Sequence, residues 1–453
     1  MSSQSQHAPT SHDKDARLAL LTEWLGSLDL VDVASVRPAS TDASFRRYFR
    51  LDVVPALRDK LGATLVAMDA PPERENVPAF INVADLLRDA GVTVPAIVAR
   101  NVEAGFLLLS DLGTTTYLQR LNVDNASFMY SDAVDALIKF QLASQPGVLP
   151  EFDRAFVLRE LNIFPEWFIG RHLGVQLDDA QRAQLDKVFE AITANVLAQQ
   201  QVYMHRDFHS RNLMFLDQGN PGVLDFQDAV YGPVTYDLAS LLRDAYIQWD
   251  EEFVLDWVVR YWQSAKQVGL PVNPDIDTFY RDFEYMGLQR HLKILGIFCR
   301  LNYRDGKSTY MGDLPTVMDY VRKTAHRYTE LRPLVRLLDA FEDKAPQVGY
   351  TFKSRSDESH DLRRGPRRAD ASADRHLPEA PAQGARPSPH HVARAEPRAR
   401  RHAGHRHQPL PPRPHDRGRA GRRQPLRRAH RLLARADAAR NGRRHRQRAA
   451  PAR

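Results

Sequence analysis

The chain has 453 residues, 43% of them hydrophobic, and a formal net charge of +7. This charge is uneven, because residues 361–453 hold 26 arginines, no lysine and 7 acidic residues (net +19), whereas residues 1–360 hold 37 basic and 49 acidic residues (net −12). The body is therefore acidic and gives no support for nucleic-acid binding, and its single cysteine, Cys299, excludes an intrachain disulfide.

The N-terminal residues 1–16 are polar, and we expect them to be disordered. They lack the apolar core of a signal peptide, and no uncharged apolar run in the chain approaches the roughly 18 residues of a membrane helix. We therefore expect a cytoplasmic protein that does not enter a membrane.

Residues 17–110 are predicted to form a small lobe that combines strands with helices. Leu18, Leu21 and Leu25 recur at helical spacing before Gly26, and a second amphipathic helix is predicted to end at Gly91. The apolar segments 44–54, 64–70 and 105–112 are typical of strands. Strands around one helix indicate an α+β lobe.

Residues 111–352 are predicted to form a larger, mainly helical lobe. Long amphipathic segments cover 131–144 and 178–200, and further helical patterns continue to about residue 344. A β-rich lobe followed by a helical lobe is consistent with an enzyme whose active site lies in a cleft.

Between two of these helical segments lies HRDFHSRNLMF, in which Asp207 and Asn212 are five residues apart, and VLDFQD follows with Asp225. Phosphoryl transfer needs a carboxylate to receive the proton of the acceptor hydroxyl and hard oxygen ligands to hold magnesium against the phosphates. A strand, a turn and a second strand separate Asn212 from Asp225, so a hairpin would return Asp225 to the side of Asn212. The pattern predicts Asp207 as the base and the other two residues as metal ligands.

These two segments, with VYGPVTYDLASLLRD after them, resemble the aminoglycoside phosphotransferase superfamily, which is related to the protein kinases. The resemblance covers roughly residues 17–352. It implies a bilobal protein-kinase-like α+β fold, with nucleotide binding in the small lobe 17–110 and catalysis in the large lobe 111–352. It also implies ATP and Mg²⁺ as cofactors, with His205 and Asp237 as supporting structural residues.

Within the superfamily, ASFRRYFRL, VAMDAPPE and RHLKILGIFCRLNYRDGKSTYMGDLP are most similar to the bacterial N-acetylmuramate/N-acetylglucosamine anomeric kinases. That resemblance implies phosphorylation of the C1 hydroxyl of an amino sugar in cell-wall recycling. An aminoglycoside kinase of the same fold stays open as an alternative, because an acidic body suits a cationic substrate.

The nucleotide site departs from the usual kinase pattern. STDASFRRYF replaces the glycine-rich loop, and Met68 stands where a phosphate-pairing lysine is expected. Ser44, Arg46 and Arg47 are candidates for the phosphate contacts, although both arginines would also be ordinary solvated residues of an edge strand. By resemblance, adenine should meet the backbone of Ser110, Asp111 and Leu112.

The sugar pocket has no motif of its own. In the large lobe, candidate contacts to hydroxyl, amide or carboxylate groups are Trp167, Arg300, Asn302, Arg304 and Asp305.

The C-terminal segment 353–453 is rich in Arg, Pro and Ala and is predicted to be a disordered tail. One interpretation is an arginine-rich arm that binds nucleic acid. The other is read-through into an overlapping gene, since residues 357–363 can be encoded so that the next frame begins ATG AAA GCC ATG ATC TTC. Continued decoding resembles the start of sugar-1-phosphate nucleotidyltransferases, which would use the product of a sugar 1-kinase. On this interpretation the kinase ends at Phe352.

Overall fold

The N-terminal part of the protein is built on a five-stranded antiparallel sheet. The computed structural model describes residues 11–40 and 45–342. Helix α1 (Ser11–Gly26) precedes the sheet, α2 (Arg58–Leu61) follows its second strand and α3 (Val77–Asp89) follows its third. The strand order is β1-β2-β3-β5-β4, and the strands are β1 (Val31–Ser40), β2 (Arg47–Val53), β3 (Thr64–Asp69), β4 (Ile97–Asn101) and β5 (Phe106–Ser110).

The two faces of this sheet serve different purposes, because successive side chains of a strand point to opposite sides. One face carries Leu51, Leu65 and Leu108, which are buried against Leu21 and Leu25 of α1. The opposite face packs against α3 and forms one wall of a cleft. Helix α3 begins after Asn76, whose side chain accepts a hydrogen bond from the backbone N–H of Ala79 at 3.0 Å, a standard N-cap.

The C-terminal part is mainly helical. After β5 come α4 (Tyr117–Arg120), α5 (Ala126–Leu142), α6 (Arg154–Leu161), a π-helix (Phe164–His172) and α7 (Asp179–Ala198). Two small antiparallel sheets follow, β6 with β9 and β7 with β8, formed by β6 (Gln201–Met204), β7 (Leu213–Met214), β8 (Gly222–Val223) and β9 (Val230–Pro233). The remaining helices are α8 (Tyr236–Leu242), α9 (Glu251–Gln267), α10 (Ile276–Asp305), α11 (Leu314–Arg327) and α12 (Arg332–Glu342), with a 3₁₀ helix (Ser308–Asp313) before α11.

Helix α10 runs through the centre of this part and contacts most of the other helices. It approaches the start of the π-helix closely at Gly296, where a Cβ atom would lie 2.5 Å from the backbone oxygen of Ile163. Glycine is therefore required at this crossing for steric reasons. The middle of α10 is buried on all sides although it includes polar and charged residues.

The predicted bilobal protein-kinase-like fold is confirmed: an antiparallel sheet with its helices precedes a helical part. The sequence did not predict β1 and β4, and both are edge strands, half-exposed and without a clear apolar alternation. Helix α1 begins at Ser11 rather than at residue 17, so residues 11–16 are helical and not disordered as predicted. The first turn of a helix needs backbone hydrogen bonds but no apolar residue.

The predicted tail 353–453 lies outside the described residues. None of the helices in the described ranges is long and apolar enough to cross a membrane.

Candidate active site

The loop between β6 and β7 carries the motif with Asp207, and Asp237 of α8 fixes its backbone. The Asp237 carboxylate accepts hydrogen bonds from the backbone N–H groups of His205 at 2.6 Å and of Arg206 at 2.9 Å. Complete burial raises the pKa of Asp237 to about 7, although the two amide hydrogen bonds oppose this. Arg206 has a φ of 79°, a left-handed conformation that is unfavourable for arginine. The two hydrogen bonds stabilise that turn.

His205 connects the two motif segments, HRDFHSRNLMF and VLDFQD, that the sequence singled out. Its Nε2 lies 3.0 Å from the backbone oxygen of Leu224 and must donate to it, while its Nδ1 accepts from the backbone N–H of Asp207 at 3.2 Å. This pattern is that of a neutral imidazole, and burial accordingly lowers the pKa of His205 to about 4. His205 therefore ties the loop of Asp207 to the loop of Asp225 without carrying a charge.

Asp207 has 38% of its side chain exposed, so a substrate can reach it. Arg290 of α10 has its Nη1 atom 3.5 Å from the Asp207 carboxylate. Loss of hydration disfavours the ionised carboxylate, but the positive charges of Lys293 and Arg290 outweigh that effect. They hold the pKa of Asp207 below its ordinary value. The group is thus a carboxylate at any neutral pH.

Asn212 and Asp225 meet across the β7–β8 hairpin, as the sequence predicted for their positions. The Asn212 Nδ2 atom donates to the backbone oxygen of Asp207 at 3.0 Å and lies 3.5 Å from Asp225 Oδ2. Asn212 Oδ1 makes no hydrogen bond to the described part of the chain. An amide oxygen and a carboxylate are hard oxygen donors of the kind that magnesium prefers, so these two residues could hold it. Asp225 has a φ of 59°, a second strained position in the site.

A cavity of about 360 Å³ opens beside this pair, between the sheet and the helical part. Val66 lines it from β3 and Met214 from β7, so a flat apolar group could lie between them. The segment joining the two parts lines the cavity with Ser110, Asp111 and Leu112. Of these, Leu112 makes no backbone hydrogen bond to any residue within 11–40 or 45–342, which leaves its N–H and C=O available to a ligand.

Asp111 stabilises this connecting segment rather than facing a ligand. Its carboxylate accepts hydrogen bonds from Arg50 Nε at 2.5 Å, from the Thr64 hydroxyl at 2.7 Å and from the backbone N–H of Gly113 at 2.9 Å. Ser110 is likewise paired with Ala96 through its backbone N–H and its hydroxyl, both at 2.8 Å. Of the three predicted adenine contacts, Ser110 has its backbone N–H bonded, whereas the backbone groups of Asp111 and Leu112 make no backbone hydrogen bond to the described residues.

The two candidate arginines of the phosphate site lie in different places. Arg46 reaches into the cleft, where its Nη2 atom is 3.1 Å from Asp225 Oδ1 and its Nη1 atom 3.7 Å from Glu75. Arg47 bonds instead to the buried carboxylate of Asp69, which it shares with Arg17. Arg47 is the first residue of β2 and Arg46 precedes the strand, and of the two only Arg46 reaches the site. Ser44 lies outside the described residues, and Met68 is fully buried in the core.

A buried cluster of charged side chains around Glu160, beside Asp207, was not predicted from the sequence. Glu160 of α6 accepts hydrogen bonds from Arg206 Nη2 at 2.7 Å and Gln289 Nε2 at 3.0 Å, and forms an ion pair with Lys293 Nζ at 2.8 Å. Burial disfavours the ionised Glu160, but Lys293 and Arg206 still hold its pKa below the ordinary value. A signal existed in the sequence, because Arg290 and Lys293 are charged residues close to the apolar run in the middle of a long helical segment.

The predicted sugar contacts lie on the π-helix and in the last two turns of α10, farther from Asp207 than Arg290 is. Trp167 is half-buried in the π-helix and packs against the core. Arg304 is about 21 Å beyond Arg290 along α10, and it binds Asp305 through Nε at 2.7 Å and Nη2 at 2.9 Å. Asn302 belongs to the last turn of α10. Only Arg300 keeps a guanidinium without a hydrogen bond or ion pair to the described residues.

Comparison with known proteins places the chain among phosphotransferases. The profile of the phosphotransferase enzyme family matches residues 35–268. A protein of Neisseria meningitidis serogroup B named N-acetylmuramate/N-acetylglucosamine kinase is 47% identical over 319 residues, which are 69% of this chain and 93% of that protein. A protein of the same name from Pseudomonas putida is 46% identical over 336 residues, which are 72% of this chain and 97% of its own length.

Proposed function

The chain belongs to the phosphotransferase enzyme family, as predicted, and we propose that it transfers the γ-phosphoryl group of ATP to the anomeric hydroxyl of N-acetylmuramate and N-acetylglucosamine. The observation that carries this proposal is the arrangement of three residues. Asp207 is ionised and accessible to solvent, its backbone oxygen binds Asn212 Nδ2, and the Asp225 carboxylate lies 3.5 Å from the same nitrogen. The two relatives described above supply the choice of sugar.

The nucleotide occupies the 360 Å³ cavity in this proposal. Adenine lies between Val66 and Met214, accepts a hydrogen bond from the backbone N–H of Leu112 and donates one to its C=O. Arg46 supplies the cation that kinases usually draw from a lysine on the third strand, since Met68 is apolar and buried. Because Arg46 contacts Asp225, it also keeps that carboxylate paired while phosphates are absent.

Asn212 and Asp225 would hold magnesium, and when bound the ion neutralises the charge of the transferred phosphoryl group. Magnesium in such sites typically uses one or two protein ligands and completes its shell with phosphate oxygens and water. The donor set here fits this requirement.

Asp207 receives the proton in this mechanism. The anomeric oxygen forms a bond to the γ-phosphorus, the bond from that phosphorus to the bridging oxygen breaks, ADP leaves, and the hydroxyl proton passes to the Asp207 carboxylate. A carboxylate whose pKa is lowered is a weak base, so its main contribution is orienting the hydroxyl for in-line attack. An anomeric hydroxyl suits such a site because it is the most acidic hydroxyl of the sugar.

The product of this reaction is a sugar 1-phosphate. Nucleotidyltransferases consume that class of compound, and we propose that one of them takes the product. The decoding of residues 357–363 and beyond in a second reading frame supports this step.

The test is an ATP-consumption assay with both amino sugars and an aminoglycoside, followed by NMR of the product to locate the phosphate. We expect phosphate on C1 of the amino sugars. Asp207→Asn should lower kcat by at least about a hundredfold, whereas Asp217→Asn, in the exposed turn of the β7–β8 hairpin, should retain full activity. Phosphorylation of the aminoglycoside alone, or an active Asp207→Asn enzyme, would contradict the proposal.

A further inference from the structure

Arg211 belongs to the same loop as Asp207 and directly precedes the candidate metal ligand Asn212. The loop is closed on itself, because the backbone oxygen of Asp207 accepts hydrogen bonds from the backbone N–H of His209 at 3.1 Å and from Asn212 Nδ2 at 3.0 Å. Arg211 also lines the cavity of about 360 Å³ together with Asn212 and Asp225. These contacts keep Arg211 next to the residues proposed for catalysis.

Two tyrosine rings of the helical part hold the guanidinium group of Arg211. Its Cζ atom lies 3.7 Å from the centre of the Tyr246 ring and 5.6 Å from that of the Tyr310 ring. Phe298 of α10 packs against both rings, with centroid distances of 6.1 Å to Tyr246 and 5.2 Å to Tyr310. The backbone N–H of Tyr246 donates to Asp244, whose carboxylate also binds the catalytic loop. The position of the guanidinium is therefore fixed relative to that loop.

No carboxylate in the described part of the chain neutralises Arg211. Its guanidinium makes neither a hydrogen bond nor an ion pair with any residue of the ranges 11–40 and 45–342. Burial raises the pKa of Asp313, and Arg211 opposes this shift from beyond ion-pairing distance. A guanidinium stacked on an aromatic ring keeps its N–H donors at the free edge, where they match the two oxygens of a carboxylate. The stacking has already ordered this side chain, so binding an anion costs it little further freedom.

The position of this cation is on the side of the acceptor sugar. The sheet supplies one wall of the proposed nucleotide site through Val66, whereas the guanidinium of Arg211 lies against Tyr246 and Tyr310 of the helical part. In-line transfer requires the acceptor to approach the γ-phosphorus from the side opposite to the departing ADP. A sugar whose hydroxyl meets Asp207 would therefore enter between the phosphates and the tyrosines.

The two sugars of the proposed function differ in one anionic group. N-acetylmuramate is N-acetylglucosamine with a lactyl ether on O3, and that ether ends in a carboxylate. The carboxylates of Asp207 and Asp225 repel such an acceptor, so its binding requires a cation close to them. Within the proposed function, on which this inference rests, we infer that Arg211 binds the lactyl carboxylate of N-acetylmuramate and thereby raises the preference of the site for this sugar over N-acetylglucosamine.

The experiment compares kcat/KM for both sugars in the full chain and in Arg211→Gln. We expect the ratio of the muramate value to the glucosamine value to fall about tenfold, the lower end of the effect of losing a charge-assisted hydrogen bond, because the guanidinium is exposed to solvent. Arg211→Lys should keep part of the ratio, because it retains the charge but loses the planar geometry.

The matched control is Arg159→Gln, which should leave the ratio unchanged. Arg159 is also exposed, and its Cζ atom lies 4.4 Å from the centre of the Phe156 ring, but it does not line the cavity. The KM for ATP should stay nearly the same in Arg211→Gln, since the phosphates are assigned to Arg46. Thermal melting adds a second measurement, because the increase in Tm produced by N-acetylmuramate should shrink in Arg211→Gln while that produced by N-acetylglucosamine stays the same.

An unchanged ratio in Arg211→Gln would overturn the inference. Equal losses for both sugars, or a higher KM for ATP with an unchanged ratio, would also overturn it, because Arg211 would then contact a group that both reactions share. If the unaltered protein phosphorylates neither sugar, the proposed function itself fails, which is a separate result.

Discussion

The buried carboxylate of Glu160 provides the sharpest test of how the active site is held together. Replacement by Gln removes the charge but keeps the shape, and it leaves Arg206 and Lys293 close together in a site where the Glu160 side chain is only 5% exposed. The new amide would also direct N–H groups at some of the three donors that Glu160 now satisfies.

Breaking a buried ion pair by removing one partner costs about 3–5 kcal/mol. We therefore expect Glu160→Gln to lower the free energy of unfolding by about that amount at pH 7, a large part of the typical stability of about 5–15 kcal/mol. Urea unfolding followed by circular dichroism measures the difference. The matched control is Glu190→Gln, which removes the exposed ion-pair partner of Arg154 and should change stability little.

The pH dependence of this difference has a definite sign. The pKa of Glu160 is lowered in the folded protein, so its stabilising contribution is present above the ordinary glutamate pKa and is lost as the pH falls through the folded value. The difference in the free energy of unfolding between the unaltered protein and Glu160→Gln should therefore become smaller in acid. The reasoning is refuted if Glu160→Gln loses no more stability than Glu190→Gln at pH 7.

Two further predictions concern the nucleotide and the base. Arg46→Gln should lower kcat/KM for ATP by about tenfold to a hundredfold through loss of a phosphate contact. Arg47→Gln is the control and should leave that value nearly unchanged, because the Arg47 side chain bonds to Asp69. Equal effects of the two substitutions in steady-state kinetics would contradict the separation of the two arginines. Because the pKa of Asp207 is lowered, kcat at saturating substrates should not decline as the pH falls from 7 to about 5. Circular dichroism over the same range checks that the protein stays folded. A fall in kcat centred near pH 6 would contradict this prediction.

Much of the site could be predicted from local sequence. The hairpin that returns Asp225 to Asn212 follows from two short apolar segments around the turn DQGNPG, and the structure forms it through β7 and β8. Both strands are short and their turn is local, so few alternative arrangements compete. The roles of these side chains in catalysis stay a prediction until the variants are measured.

Other features depended on strand direction, which residue types alone do not specify. Arg46 and Arg47 are chemically identical neighbours, but Arg47 begins β2 and bonds to Asp69, whereas Arg46 lies just before the strand and reaches Asp225. The edge strands β1 and β4 escaped prediction for a related reason. Each has a neighbour on one side only, so its sequence carries a weak apolar pattern and, in β1, tolerates Pro38.

The sequence by itself determined the reaction class and the order of the lobes, because the chemistry of phosphoryl transfer requires particular side chains at short spacings. Tertiary structure alone decided the electrostatics of Asp207. Glu160, Arg206 and Lys293 lie up to 133 residues apart in the chain, and they become one buried cluster only where α6 and α10 pack around the catalytic loop. Charge interactions depend on distance and burial, and no local pattern encodes either quantity.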